Sequence, residues 1–95
     1  MACELILSQK LLKTLGDFTN SSLRGAKFQG ANLFKANFER ADVQSADFSG
    51  ALVSLTNFVG AENLSQAQID SSCFILSLGA PILPDDMNLP PQCFL

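Results

Sequence analysis

The side chains of this chain with the most chemistry in them are three cysteines, Cys3, Cys73 and Cys93, and one carboxylate pair, Asp85 and Asp86. A zinc site needs ligands in closely spaced pairs, and a fourth donor that is commonly histidine. Here the cysteines are far apart and the chain has no histidine, so no metal ligand is read. Three free thiols fit a reducing compartment, and a Cys73–Cys93 disulfide stays open as an alternative because both belong to the same terminal segment. Two neighbouring carboxylates do acid–base work when their surroundings push their pKa values apart. Asp85 and Asp86 lie among Pro81, Pro84, Pro90 and Pro91 with no second group to separate them, and are not read as catalytic. Tyrosine is also absent, so the commonest proton-transfer groups are missing. No glycine-rich phosphate loop is seen. Catalytic residues: none; cofactor: none; an enzyme is the least supported class.

What remains is architecture. An apolar side chain returns every five residues at Phe18, Leu23, Phe28, Leu33, Phe38, Val43, Phe48, Val53 and Phe58. On an α-helix a step of five turns the side chain by about 140°, which scatters these residues around the axis. In a straight strand an odd spacing sends successive members to opposite faces. A chain that turns a corner every five residues keeps all of them inside, and such units stack as a solenoid. The spacing therefore predicts an all-β solenoid.

The flanking residues agree. Two places before each centre stands a small residue, unbroken over Ala26, Ala31, Ala36, Ala41, Ala46 and Ala51. One place before stand Asp17, Asn32, Asn37, Asp42, Asp47 and Asn57, whose short polar side chains bond nearby backbone in turns. Gly25, Gly30, Gly50 and Gly60 fall two places after a centre, where a corner belongs. The stretch Ala31 to Gly50, ANLFK ANFER ADVQS ADFSG, resembles the pentapeptide-repeat family, whose signature is A(D/N)LXX. The resemblance covers residues 16–58. Gly16 and Ser21 depart from it in the first repeats, Thr56 in the last, and Leu52 replaces Asp or Asn. It implies a right-handed quadrilateral β-helix with about twenty residues per coil. Residues twenty apart then stack: Phe18, Phe38 and Phe58 on one wall, Phe28 and Phe48 opposite, with Leu23 and Val43, and Leu33 and Val53, on the other two.

A chain of 95 residues makes one domain, and an open column has two ends to cover. Leu5, Leu7, Leu11, Leu12 and Leu15 share one helical arc, so residues 1–15 read as an N-terminal capping helix. Residues 16–64 form the β-helix of about 2.5 coils. Leu64 comes six residues after Phe58, so the register breaks near Gly60 and the coil is expected to stop. Residues 65–95 read as a cap: a short helix from Gln66 to about Ser72, opened by the Ser65/Gln68 capping box with Ile69 facing the last coil, then a proline-containing tail. The prolines exclude a long helix or a central strand there, and the apolar run from Cys73 to Leu83 is too short and interrupted to span a bilayer.

The functional reading follows from the surface. Phe34, Leu52, Leu55 and Val59 are apolar residues at outward positions, and they form the candidate partner surface unless the tail covers them. This points to a non-enzymatic interaction or scaffolding module whose partner is an unidentified protein or a second copy of the chain. The resemblance implies an alternative, a DNA-mimic modulator of DNA gyrase. About two and a half coils at ~4.8 Å match only some three base pairs of a polyanion with a charge every ~1.7 Å. Within the repeats Arg24, Lys27, Lys35 and Arg40 balance Asp17, Glu39, Asp42 and Asp47, and the net charge of −3 arises outside them. Direct nucleic-acid binding is disfavoured for want of a basic stripe. No secretory signal is read, which with the thiols predicts a cytoplasmic protein.

Overall fold

The structure, a computed structural model, describes residues 16–93. The capping helix expected over residues 1–15, and Cys3 with it, lies outside the described residues.

Each repeat is a turn followed by a single ladder residue. The N–H three places after each centre donates back to the centre's carbonyl, as in Ser21 to Phe18 at 3.0 Å and Ala36 to Leu33 at 2.8 Å. The second central residue of these turns has positive φ, which is the type II arrangement. Glycine supplies it at Gly25, Gly30, Gly50 and Gly60, but Asn20, Lys35, Arg40, Ser45 and Leu55 adopt it too, with φ of 56–63°. An L-residue held there costs about 1–2 kcal/mol. The corner therefore tolerates a side chain as long as the closed turn repays the strain.

The Asn and Asp residues before the centres close the turns from outside. Oδ1 of Asn37 accepts from the Glu39 N–H at 2.9 Å, Oδ1 of Asp47 from Ser49 at 2.9 Å, and Oδ1 of Asn57 from Val59 at 2.9 Å. These are Asx turns, and they explain why the position takes a short side chain with a carbonyl or carboxylate.

The turns bring the chain back over itself. Isolated parallel bridges join Asp17 to Asn37 to Asn57, Ser22 to Asp42 to Glu62, Lys27 to Asp47, and Asn32 to Leu52, each step spanning twenty residues. Each bridge is one residue long, so the described residues contain no continuous strand. The centres stack inside. Phe38 lies 4.9 Å from Phe18 and 5.2 Å from Phe58, ring centroid to centroid, and Phe28 lies 5.2 Å from Phe48. The two stacks meet edge to face, with Phe28 5.4 Å from Phe38. Leu23, Leu33, Val43 and Val53 complete the buried interior. Ala36, Ala41 and Ala51, two places before their centres, are fully buried. Thr56 takes the same position and stays buried because its hydroxyl donates to the Leu33 carbonyl at 2.6 Å.

The expected stop near Gly60 is not found. The chain returns a third time, shifted by one residue, and begins a fourth. Glu62 pairs with Asp42, Cys73 with Leu52, Ile82 with Asn57, and Gln92 with Phe74, so the column is longer than 2.5 coils. The extra residue is absorbed at the Glu62–Leu64 corner, where Asn63 has φ 61°. The prolines do not prevent pairing, because a one-residue rung uses only the N–H and C=O of that residue. Ile82 donates to Thr56 and accepts from Phe58, both at 2.8 Å, while its neighbour Pro81 needs no donor.

Helix α1, Gln66–Asp70, replaces one wall of the third return and places Ile69 on the Phe28/Phe48 wall, fully buried. It is two residues shorter than expected. Ser65 caps it: its side chain accepts from the Gln68 N–H while Gln68 Oε1 accepts from the Ser65 N–H. A 3₁₀ helix, Leu76–Leu78, carries the chain around the next corner. Cys73 and Cys93 form a disulfide, so the reading of three free thiols does not hold and the inference from it to a reducing compartment loses its basis.

Candidate interaction surface

Of the four residues read as a partner surface, Phe34, Leu52 and Leu55 lie on or beside the Leu33/Val53 wall and Val59 at the next corner, in unlike surroundings. Phe34 follows Leu33 at the corner and is half-buried, with Lys35 Nζ 5.3 Å from its ring centroid, a cation–π contact. Leu52 is half-buried on the rung between Asn32 and Cys73. Leu55 is half-buried against the tail. A Cβ added at Gly79 would come within 2.7 Å of Leu55 Cδ2, so the two are in contact. Neighbouring Ser54, also at an outward position, is fully buried and its Oγ accepts from the Ile75 N–H at 2.8 Å. Of the four, Val59 is the one at the surface, 42% exposed.

The tail brings apolar residues of its own to the surface. Leu76, Leu78 and Ile82 are exposed, Leu76 to 67%, and Leu89 lies further along. Ile82 stands one rung above Asn57, two residues from Val59. The sequence reading leaves open whether the tail covers the candidate surface and does not name these residues as surface themselves. The available signal was charge: residues 71–84 carry none.

The polar groups on the walls do structural work. Asp42 receives Asn63 Nδ2 at 3.0 Å and Arg24 Nε at 2.6 Å, joining three successive returns. The Asn63 hydrogen bond, then that of Arg24 and the Gln44 backbone N–H, hold its pKa down at about 2. The Ser49 hydroxyl and N–H likewise lower that of Asp47. Arg40 Nε donates to Asn20 Oδ1 at 3.0 Å along a corner. These carboxylates are kept ionised as acceptors, the opposite of what a general acid needs. Asp85 and Asp86 are exposed on the tail. Among the described residues no cluster suited to a metal ion occurs, and no helix is long and apolar enough to cross a membrane.

Among known families, the model for pentapeptide repeats matches residues 17–50 and 36–74, in eight copies. The chain belongs to the pentapeptide-repeat family. The second match runs past Phe58 to Phe74, the same stretch over which the structure continues the bridges beyond the expected stop. Pentapeptide-repeat proteins are in general non-enzymatic structural or interaction modules. No curated protein and no solved structure matches the chain.

Proposed function

We propose that this pentapeptide-repeat protein is a non-enzymatic protein-interaction module, a right-handed quadrilateral β-helix whose C-terminal coil presents the contact surface. The observation that carries the reading is the exposure of Leu76, Leu78 and Ile82 on a stretch without charge, with Ile82 one rung above Asn57 and so near Val59. Large apolar residues grouped at a surface favour a protein partner, because burying them on association is what stabilises a contact. Phe34 and Leu52, half-buried on the adjoining wall, form its rim. The partner is another protein or a second copy of the chain. A DNA-mimicking role is the weaker reading, because Arg24 neutralises Asp42 where an acidic face would be needed.

The test is association of the full chain and of a Leu76→Asp, Ile82→Asp variant, by sedimentation across concentration and by capture from source-cell extract. The reading expects a complex, with itself or with a captured protein, that the folded variant loses. A complex indifferent to both substitutions would move the contact elsewhere, and a captured topoisomerase would restore the DNA-mimic reading.

A further inference from the structure

We propose that the Cys73–Cys93 disulfide is a redox latch on the end of the column, closed when oxidised and opened by a dithiol reductant. The bridge closes a loop whose last part, residues 84–93, folds back over Phe74 and α1. Without the sulfurs that segment is weakly held. Four hydrogen bonds join it to the body: Phe74 N–H to the Pro91 carbonyl at 3.1 Å, Cys93 N–H to the Phe74 carbonyl at 2.8 Å, and a reciprocal pair between Asn88 and the Gln66 side chain at 2.9 and 3.0 Å. The Gln66 pair is solvent-exposed and holds little. Only Pro90 of the segment is buried, whereas Asp85, Asp86, Asn88, Leu89, Pro91 and Gln92 are exposed. A segment whose apolar burial is confined to Pro90 and, in part, Pro84 and Met87 offsets its ordering entropy mainly through the covalent tether.

Beneath the segment lies surface worth controlling. Phe74 is 5% exposed with the latch closed, and Leu83 and Met87 pack against the core from within the loop. The body does not depend on the segment, because the Phe18/Phe38/Phe58 and Phe28/Phe48/Ile69 walls are complete without it. Both cysteines are half-buried rather than enclosed in the core. The thiolate of the dithiol attacks one bridge sulfur, and the Cys73–Cys93 bond breaks as a mixed disulfide forms. The second thiol then expels the bound cysteine. Two electrons and two protons pass to the chain, which gains two thiols, and the reductant leaves as a disulfide.

The experiment is amide hydrogen exchange on the full chain, oxidised and after dithiothreitol, with intact mass reporting the state of the sulfurs. Reduction is expected to raise exchange at Phe74, Asn88 and Cys93 at least tenfold, leave Phe38, Val43 and Phe58 unchanged, and reverse on reoxidation. Cys93→Ser should reproduce the open state without reductant. Unchanged exchange after verified reduction would overturn the latch. So would a rise spread equally over Phe38 and Val43, which would make the bridge a staple of the whole fold. Free Cys73 and Cys93 thiols in the oxidised preparation would also overturn it.

Discussion

Phe38→Ala tests the core most severely. Phe38 is fully buried, stacked on Phe18 at 4.9 Å and Phe58 at 5.2 Å, and meets Phe28 and Phe48 edge on at 5.4 and 5.7 Å. Removing a buried phenylalanine costs about 3–5 kcal/mol in transfer and cavity terms. The upper end applies here, because four aromatic contacts worth ~0.5–1.5 kcal/mol apiece are lost and the surrounding turns are closed by hydrogen bonds that resist collapse. Against a total of ~5–15 kcal/mol this is a large fraction. For a domain of this size about 5 kcal/mol lowers the melting temperature by roughly 20–40 °C. The assay is urea and thermal unfolding followed by far-ultraviolet circular dichroism, since the chain has neither tryptophan nor tyrosine to report by fluorescence. Leu89→Ala, at a residue 54% exposed, is the control and should change stability by under ~0.5 kcal/mol. A Phe38→Ala protein that melts with the control would refute the stacked core.

Gly79→Ala should destabilise by about 1–3 kcal/mol, because Gly79 has φ 106°, ψ 158° and a Cβ there meets Leu55 at 2.7 Å. Gly25→Ala, with open space around it, should cost only the ~1–2 kcal/mol of its positive φ, and a Gly79→Ala protein that melts with the wild type would refute the contact with Leu55. Gln68→Glu keeps an acceptor for the Ser65 N–H but loses the donor to the Val43 and Ala46 carbonyls, so chemical denaturation should find it ~1–3 kcal/mol less stable, and full stability would refute that double role. Asp42, whose folded pKa of about 2 lies below the unfolded value of ~3.9, adds stability that is present above about pH 4 and lost as pH falls toward 2. Carboxyl titration by NMR should place its midpoint near 2, and Asp42→Asn should flatten the acid limb of the stability profile; an unchanged limb would show the pairing to be inconsequential.

The contrast between the two halves of the chain lies in the range over which each residue's role is decided. Phe18 to Phe58 could be placed from spacing alone because each centre is set by its own five-residue turn: Asn37 bonds the N–H two places on, and Phe38 accepts from the N–H three places on. The same logic reaches the Ser65/Gln68 capping box, which spans three residues. It fails beyond Gly60, where the spacing between stacked residues lengthens from twenty to twenty-one for Leu52 and Cys73, and to twenty-five for Asn57 and Ile82. The first extra residue shows in the six-residue step from Phe58 to Leu64, which reads as a stop although the Asn63 corner absorbs it, while no local signal counts those taken up around the 3₁₀ helix. Gln68 shows the limit in one side chain. Its oxygen serves the N–H of Ser65 and was legible, while its nitrogen serves the carbonyls of Val43 and Ala46, 25 and 22 residues earlier, and was not. The Val43 carbonyl also accepts from the Ala46 N–H in its own turn, but the Ala46 carbonyl sits where Ala26 one coil earlier accepts the Asp47 N–H, so the side-chain amide satisfies an acceptor that a further repeat would have satisfied with its own N–H. The column can accept a helix in one wall only where such a donor is supplied, which is why Gln68→Glu separates the long-range requirement from the local one.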